Sequence, residues 1–147
     1  MFDAWKSAWR EAVDNFRKEL DPREGDALDL AAAMRRDLTA AEREFARLGA
    51  ELARARQQHA EEEEAARRCR RQEAMAREID DVETAELAAS FAERHAERAR
   101  VFLGKLRALE AEAELRRKDL EEMRERWAHV AHEAARQQRS FADTGAE

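Results

Sequence analysis

Apolar residues downstream of residue 26 recur at an alternation of three and four positions, which is the spacing of a coiled-coil seam. The first series is Ala27, Ala31, Met34, Leu38, Ala41, Phe45, Leu48, Leu52 and Ala55. The second series is Phe102, Leu106, Leu109, Ala113, Arg116, Leu120, Met123, Trp127, Val130 and Ala134, with Arg116 as its only charged member. The pattern predicts two long helices, each with one narrow apolar face.

The stretch REIDDVETAELA between the two series carries the signals of a helix start. Asp80, Asp81 and Thr84 can cap a new helix whose first turn is acidic. A tight turn near 80–84 is therefore predicted. It reverses the chain and makes 26–147 an antiparallel helical hairpin.

The two series face each other in one register when the chain reverses at this turn. The facing pairs are Leu38 with Trp127, Phe45 with Leu120, Leu52 with Ala113, and Ala55 with Leu109. The predicted hairpin core consists of Leu38, Phe45, Leu48, Leu52, Leu106, Leu109, Leu120, Met123 and Trp127.

The first twenty residues predict a separate, short amphipathic helix over 1–20. Its apolar face consists of Phe2, Trp5, Trp9, Val13, Phe16 and Leu20. Fully burying the five largest of these side chains is worth on the order of 7–15 kcal/mol as an upper bound. A helix with such a face lies in a membrane interface, or it packs on the hairpin or on a neighbouring subunit.

One clear break separates this helix from the hairpin. The only proline, Pro22, follows Asp21, and Gly25 stands three residues further on. Proline and glycine interrupt helices, so 21–25 is predicted to be a hinge.

Composition supports an all-α fold and narrows the function. Asp, Glu, Lys and Arg make up 42% of the chain, which has four glycines, one proline and no tyrosine. The formal net charge of −6 argues against nucleic-acid binding, which needs a basic face. No Glu has a His three residues later, as a di-iron helical bundle requires, and Cys69 lies on the seam as a small core residue. We therefore expect no metal site, no cofactor, no catalytic residue and no enzymatic activity.

The order of a short amphipathic helix, an Asp-Pro hinge and a long antiparallel hairpin resembles phage-shock protein A, of the bacterial ESCRT-III-like family. LDLAAAMRRDL, with Met34 and Leu38, is similar to the family's leucine-rich start of the hairpin. AELAASFAERHAERARVFLGKLRALEAEAELRRKDLEEMRERW resembles the family's segment after the hairpin turn. REG at 23–25 is an insertion at the hinge. Family members also continue into further helices that interlock subunits in polymers, whereas this sequence stops at Glu147.

The resemblance implies a stress-response protein that is peripheral on the cytoplasmic face of the inner membrane. Such a protein docks through its first helix, self-assembles, and stabilises or remodels the bilayer. Expected partners are membrane lipid, further copies of the chain and an AAA+ transcription activator. The expected membrane-binding residues are Phe2, Trp5, Trp9, Val13 and Phe16, together with Lys6 and Arg10. This reading requires that the aromatic face is held off the hairpin arms.

The alternative reading is a soluble antiparallel coiled-coil module for protein interaction. Examples are the stalk proteins of flagellar-type export and hairpins that regulate an AAA+ ATPase. Such a module has no lipid role, so vesicles would not affect the fluorescence of Trp5 and Trp9.

Overall fold

The computed structural model describes residues 1–18 and 25–146. They form three α-helices: α1 (Phe2–Lys18), α2 (Asp26–Glu78) and α3 (Val82–Thr144). α2 and α3 pack against each other as an antiparallel hairpin, which confirms the predicted all-α fold of a short helix followed by a long hairpin. Most of the predicted hinge, including Pro22, lies outside the described residues.

A glycine directly precedes helix α2 for a conformational reason. Gly25 has a φ of 94°, a value that residues with a Cβ rarely adopt. Its carbonyl oxygen accepts a hydrogen bond of 2.9 Å from the backbone N–H of Asp29. Asp26 and Asp29 place negative charge in the first turn, where it interacts favourably with the positive end of the helix dipole.

The chain divides into two compact units. The base unit comprises residues 1–46 and 114–147, and therefore contains α1 with the N-terminal part of α2 and the C-terminal part of α3. Its core is Phe2, Trp9, Ala31, Met34, Leu38, Ala41, Leu120, Met123 and Val130. Trp5, Val13, Leu30, Phe45, Trp127 and Ala131 pack around this core and are partly buried. The predicted pairs Leu38 with Trp127 and Phe45 with Leu120 thus each meet in one cluster.

The turn unit comprises residues 47–113. Ala55, Leu106 and Leu109 form its main apolar cluster, and Leu48, Leu52 and Leu103 pack against it. Elsewhere in the unit the buried residues are alanines: Ala65, Ala76, Ala85, Ala88, Ala92 and Ala99. These six alanines are called the alanine seam below.

Two hydrogen bonds end α2 in a Schellman arrangement. The N–H of Asp81 donates to the carbonyl of Ala76 at 2.9 Å, and the N–H of Asp80 donates to the carbonyl of Arg77 at 3.2 Å. Asp81 then caps α3, because its Oδ1 accepts a hydrogen bond of 3.1 Å from the N–H of Thr84. The turn thus spans 79–81, where the sequence pattern placed it near 80–84.

Asp80 occupies the position of this turn that usually belongs to glycine. Its φ of 57° is in the left-handed region, where a Cβ meets the following carbonyl oxygen. Asp80→Gly is therefore expected to raise the free energy of unfolding by up to about 1 kcal/mol. Urea denaturation followed by circular dichroism measures the change. Glu78→Gly, inside the last turn of α2, is the control and should cost about 1 kcal/mol. A loss of stability in both variants would contradict this description of the turn.

Candidate functional site

The candidate site is the apolar face of α1, which the family resemblance assigned to lipid. In the structure this face packs on the hairpin within the base unit. Phe2 and Trp9 are buried, and Trp9 is only 3% exposed. Trp5, Val13 and Phe16 are half-buried. Trp9 and Phe2 share one cluster with Met34 and Leu38 of α2 and with Leu120 and Met123 of α3.

Polar groups of the hairpin fix the two buried aromatic rings of α1. The indole Nε1 of Trp9 donates a hydrogen bond of 2.8 Å to Oδ2 of Asp37 on α2. The guanidinium of Arg116 on α3 lies 4.9 Å from the centre of the Phe2 ring, a cation–π contact. Phe2 also meets Trp5 edge-on, with the ring centres 5.5 Å apart. Each buried ring therefore has a directional contact in addition to apolar packing.

Lys6 joins α1 to α3 by two ion pairs. Its Nζ lies 2.9 Å from Oδ1 of Asp119 and 3.0 Å from Oε2 of Glu122. The other carboxylate oxygen of Asp119 accepts a hydrogen bond of 3.1 Å from Arg116. Lys6, which was expected to face lipid headgroups, is thus bound to the protein's own carboxylates.

These ion pairs shift two pKa values in opposite directions. Hydrogen bonds to Asp119 and Glu122 raise the pKa of Lys6 above its ordinary value. Partial burial by itself would raise the pKa of Asp119. The hydrogen bonds from Lys6 and Arg116 outweigh that effect, however, so the pKa of Asp119 lies below its ordinary value.

The shifts predict a pH window for the docking of α1. The depressed pKa of Asp119 contributes stability above its unfolded value of 3.8, and that stability is lost as the pH falls through the lower folded value. The raised pKa of Lys6 contributes stability below 10.5, and that stability is lost as the pH rises through the higher folded value. The protection factors of the α1 amides, which correct exchange for its intrinsic pH dependence, should therefore be highest between these limits and lower outside them.

Lys6→Met is the control for this window. It keeps the aliphatic stem but carries no charge, so the response of α1 exchange to acid and to alkali should become smaller. An unchanged pH response in Lys6→Met would mean that the ion pairs with Asp119 and Glu122 do not hold α1.

The expectation that the aromatic face is held off the hairpin arms is wrong in this structure. The face has the amphipathic spacing that the sequence indicated, but the large apolar surface it covers belongs to the same chain. Of the seven residues assigned to lipid, only Arg10 is exposed. The sequence left packing on the hairpin open as an alternative, and the structure has that arrangement.

Sequence reasoning missed the residues that receive α1. Asp37, Asp119 and Glu122 lie outside the two heptad series, and no sequence pattern singled them out. Arg116 was noted only as a charged member of the seam, although it contacts both Phe2 and Asp119. The charge of Arg116 within an apolar series was the available signal, because a charged group next to a core usually has a partner.

The other candidate groups do not assemble into a site. Within residues 1–18 and 25–146, no group of three or more His, Cys, Asp or Glu side chains is placed to hold a metal ion. Cys69 is half-buried. His95 contacts Glu62 at 2.6 Å, and Nδ1 of His59 lies 3.0 Å from the carbonyl oxygen of Ala99. These polar pairs lie beyond Ala55, the last residue given for the first heptad series.

Comparisons with protein-family models, curated proteins and solved structures give no match. The resemblance to phage-shock protein A therefore stays a prediction. Among the described helices, none has an apolar stretch long enough to cross a bilayer.

Proposed function

We propose that the protein is a non-enzymatic helical module for protein interaction, in which α1 is a structural part of the base unit. The observation that carries this proposal is the burial of Phe2 and Trp9 against the hairpin. The aromatic face has a structural role in the fold, which removes the main physical reason for assigning it to lipid.

The energetics of releasing α1 support the proposal. Exposing Phe2 and Trp9 costs on the order of 3–6 kcal/mol at about 1.5–3 kcal/mol each. Release also uncovers apolar surface on the hairpin, because Met34, Leu38, Leu120 and Met123 belong to the same cluster. Insertion into a bilayer would bury the apolar face of α1 again, but it would not cover the apolar surface that α1 leaves on the hairpin. Lipid docking therefore leaves a hairpin face in water unless a second protein surface covers it.

Vesicle binding tests the proposal directly. The whole chain is mixed with vesicles of phosphatidylethanolamine and phosphatidylglycerol, and both sedimentation and tryptophan emission are recorded. The proposal predicts that the protein stays in the supernatant and that its emission maximum does not move. Co-sedimentation with a blue shift would contradict it. Lys6→Glu, which replaces the ion pairs by repulsion from Asp119 and Glu122, is the sensitised variant that shows whether a loosened α1 enters lipid.

A second candidate is lipid docking by a released α1, as the family resemblance implies. The observation that favours it is that Trp5, Val13 and Phe16 stay half-exposed after packing. If this candidate holds, Phe16→Ser should weaken vesicle binding severalfold, whereas Phe141→Ser in α3 should not. Self-assembly and binding of an AAA+ activator also stay predictions that follow from the resemblance.

A further inference from the structure

Large apolar side chains cluster on the outside of the turn unit. In the part of the chain that the structure describes, ten large apolar residues are exposed, and five of them lie between 75 and 91. These five are Met75, Ile79, Val82, Leu87 and Phe91. Single exposed apolar residues are ordinary on protein surfaces, whereas a contiguous group marks a binding surface.

The alanine seam explains why these residues are on the outside. Ala76 and Ala88 are buried between α2 and α3, and an alanine interface has little volume for larger side chains. Met75 lies in the last turn of α2 and Ile79 directly after the end of that helix, and Leu87 and Phe91 follow each other by one turn of α3. With the two alanines between them, these four residues line an open groove of about 650 Å³.

The two charged side chains that line this groove, Glu78 and Asp81, are both acidic. The segment 78–93 contains six Asp and Glu residues and no Lys or Arg, and one of the six, Glu93, is paired with Arg70 and Arg100. The nearest cations on either side are engaged: Arg77 pairs with Glu73 at 2.9 Å, and Arg94 lies 5.7 Å from the centre of the Phe91 ring. The groove is therefore an apolar surface with an acidic rim.

We infer that this groove binds a helix of a partner protein that carries Lys or Arg beside a few large apolar side chains. A groove between two helices accepts an amphipathic helix through apolar anchors one turn apart, and opposite charges set its register and speed the encounter. The acidic rim repels anionic lipid, and a symmetric contact with a second copy would bring the same carboxylates together. The inference rests on the proposed function and names the chemistry of the partner.

Fluorescence anisotropy with a defined probe tests the groove. The probe is a fluorescein-labelled helical peptide built from Leu and Lys, with Leu at i, i+3, i+4 and i+7. Leu87→Ser is expected to weaken its binding to the whole chain about tenfold. Leu115→Ser is the matched control, because Leu115 is 60% exposed and Leu87 is 59% exposed. The control should change the affinity less than about twofold.

Two further measurements separate the groove from general attraction to an acidic protein. A peptide with Glu in place of Lys should bind about tenfold more weakly. Glu78→Lys changes an exposed carboxylate that lines the groove and should weaken binding of the Lys peptide severalfold. Melting followed by circular dichroism shows whether each variant keeps its fold.

Equal losses in Leu87→Ser and Leu115→Ser would overturn the inference, as would equal binding of the Glu and Lys peptides. Dimerisation that Leu87→Ser abolishes would overturn it too, because the groove would then belong to a second copy. These failures differ from a failure of the proposed function. Failure of the proposed function would be seen as vesicle binding through α1, and the groove measurements would be unaffected.

Discussion

Replacing Trp9 with alanine is expected to lower the free energy of unfolding by about 3–5 kcal/mol. The side chain is 3% exposed and lies among Met34, Leu38, Leu120 and Met123. Alanine leaves a cavity there, and it removes the indole N–H that donates to Asp37. Urea denaturation followed by circular dichroism at 222 nm measures the loss.

Two variants control for the size and the polarity of the removed group. Trp5→Ala removes the same side chain from a half-exposed position and should cost less than half as much as Trp9→Ala. Trp9→Phe keeps most of the ring but not the hydrogen bond to Asp37, and should cost roughly 1–3 kcal/mol. Equal and small losses in Trp5→Ala and Trp9→Ala would mean that α1 does not pack on the hairpin in solution.

Leu120→Ala is expected to destabilise the base unit by about 2–5 kcal/mol. Leu120 is 2% exposed and belongs to the cluster in which α1, α2 and α3 all contribute side chains. Leu115→Ala makes the same chemical change on the same helix at an exposed position. It should shift the free energy of unfolding by no more than about 0.5 kcal/mol.

The comparison between these two leucines tests the seam itself. The heptad pattern placed Leu120 inside and left Leu115 outside, so a similar cost at both positions would contradict the assigned face of α3. A large cost at Leu115 alone would indicate that a different face is covered in solution.

The sequence predicted the hairpin well because the apolar spacing of a heptad repeat can be recognised within a short stretch of the chain. Met34, Leu38, Leu120 and Met123 all fall in the two series, and these four are the largest fully buried side chains of the described residues. An apolar series of this kind determines which face of each helix is covered. The cap signal at Asp81 similarly marked where α3 begins, whereas Asp80 does not cap α3 but occupies the left-handed position that ends α2.

The location of α1 was not predictable by the same reasoning. Amphipathic spacing shows that Phe2 and Trp9 need a cover, but bilayers and protein surfaces both satisfy an apolar face. The contacts of Trp9 with Asp37 and of Lys6 with Asp119 join residues far apart in the sequence, and no local pattern encodes them. The family resemblance favoured lipid, whereas the packing in the base unit favours protein.

The exposed residues at the turn were missed for a different reason. The segment from Met75 to Phe91 carries clear capping signals, and its large apolar residues fall outside the two heptad series. Met75 with Ile79 and Leu87 with Phe91 repeat at four-residue spacing beside the buried alanines. The sequence therefore contained a second apolar stripe, formed by these four residues and narrower than the heptad seam.

Zero-length crosslinking of Lys6 tests the central claim most directly. A carbodiimide joins an amine to a carboxylate only when the two are in contact, and Nζ of Lys6 lies 2.9 Å from Asp119 and 3.0 Å from Glu122. Mass spectrometry of the digested protein should find Lys6 joined to one of these two residues, in equal yield with and without anionic vesicles. Absence of this crosslink in buffer, or its loss when vesicles are added, would contradict the claim that α1 is a fixed part of the base unit.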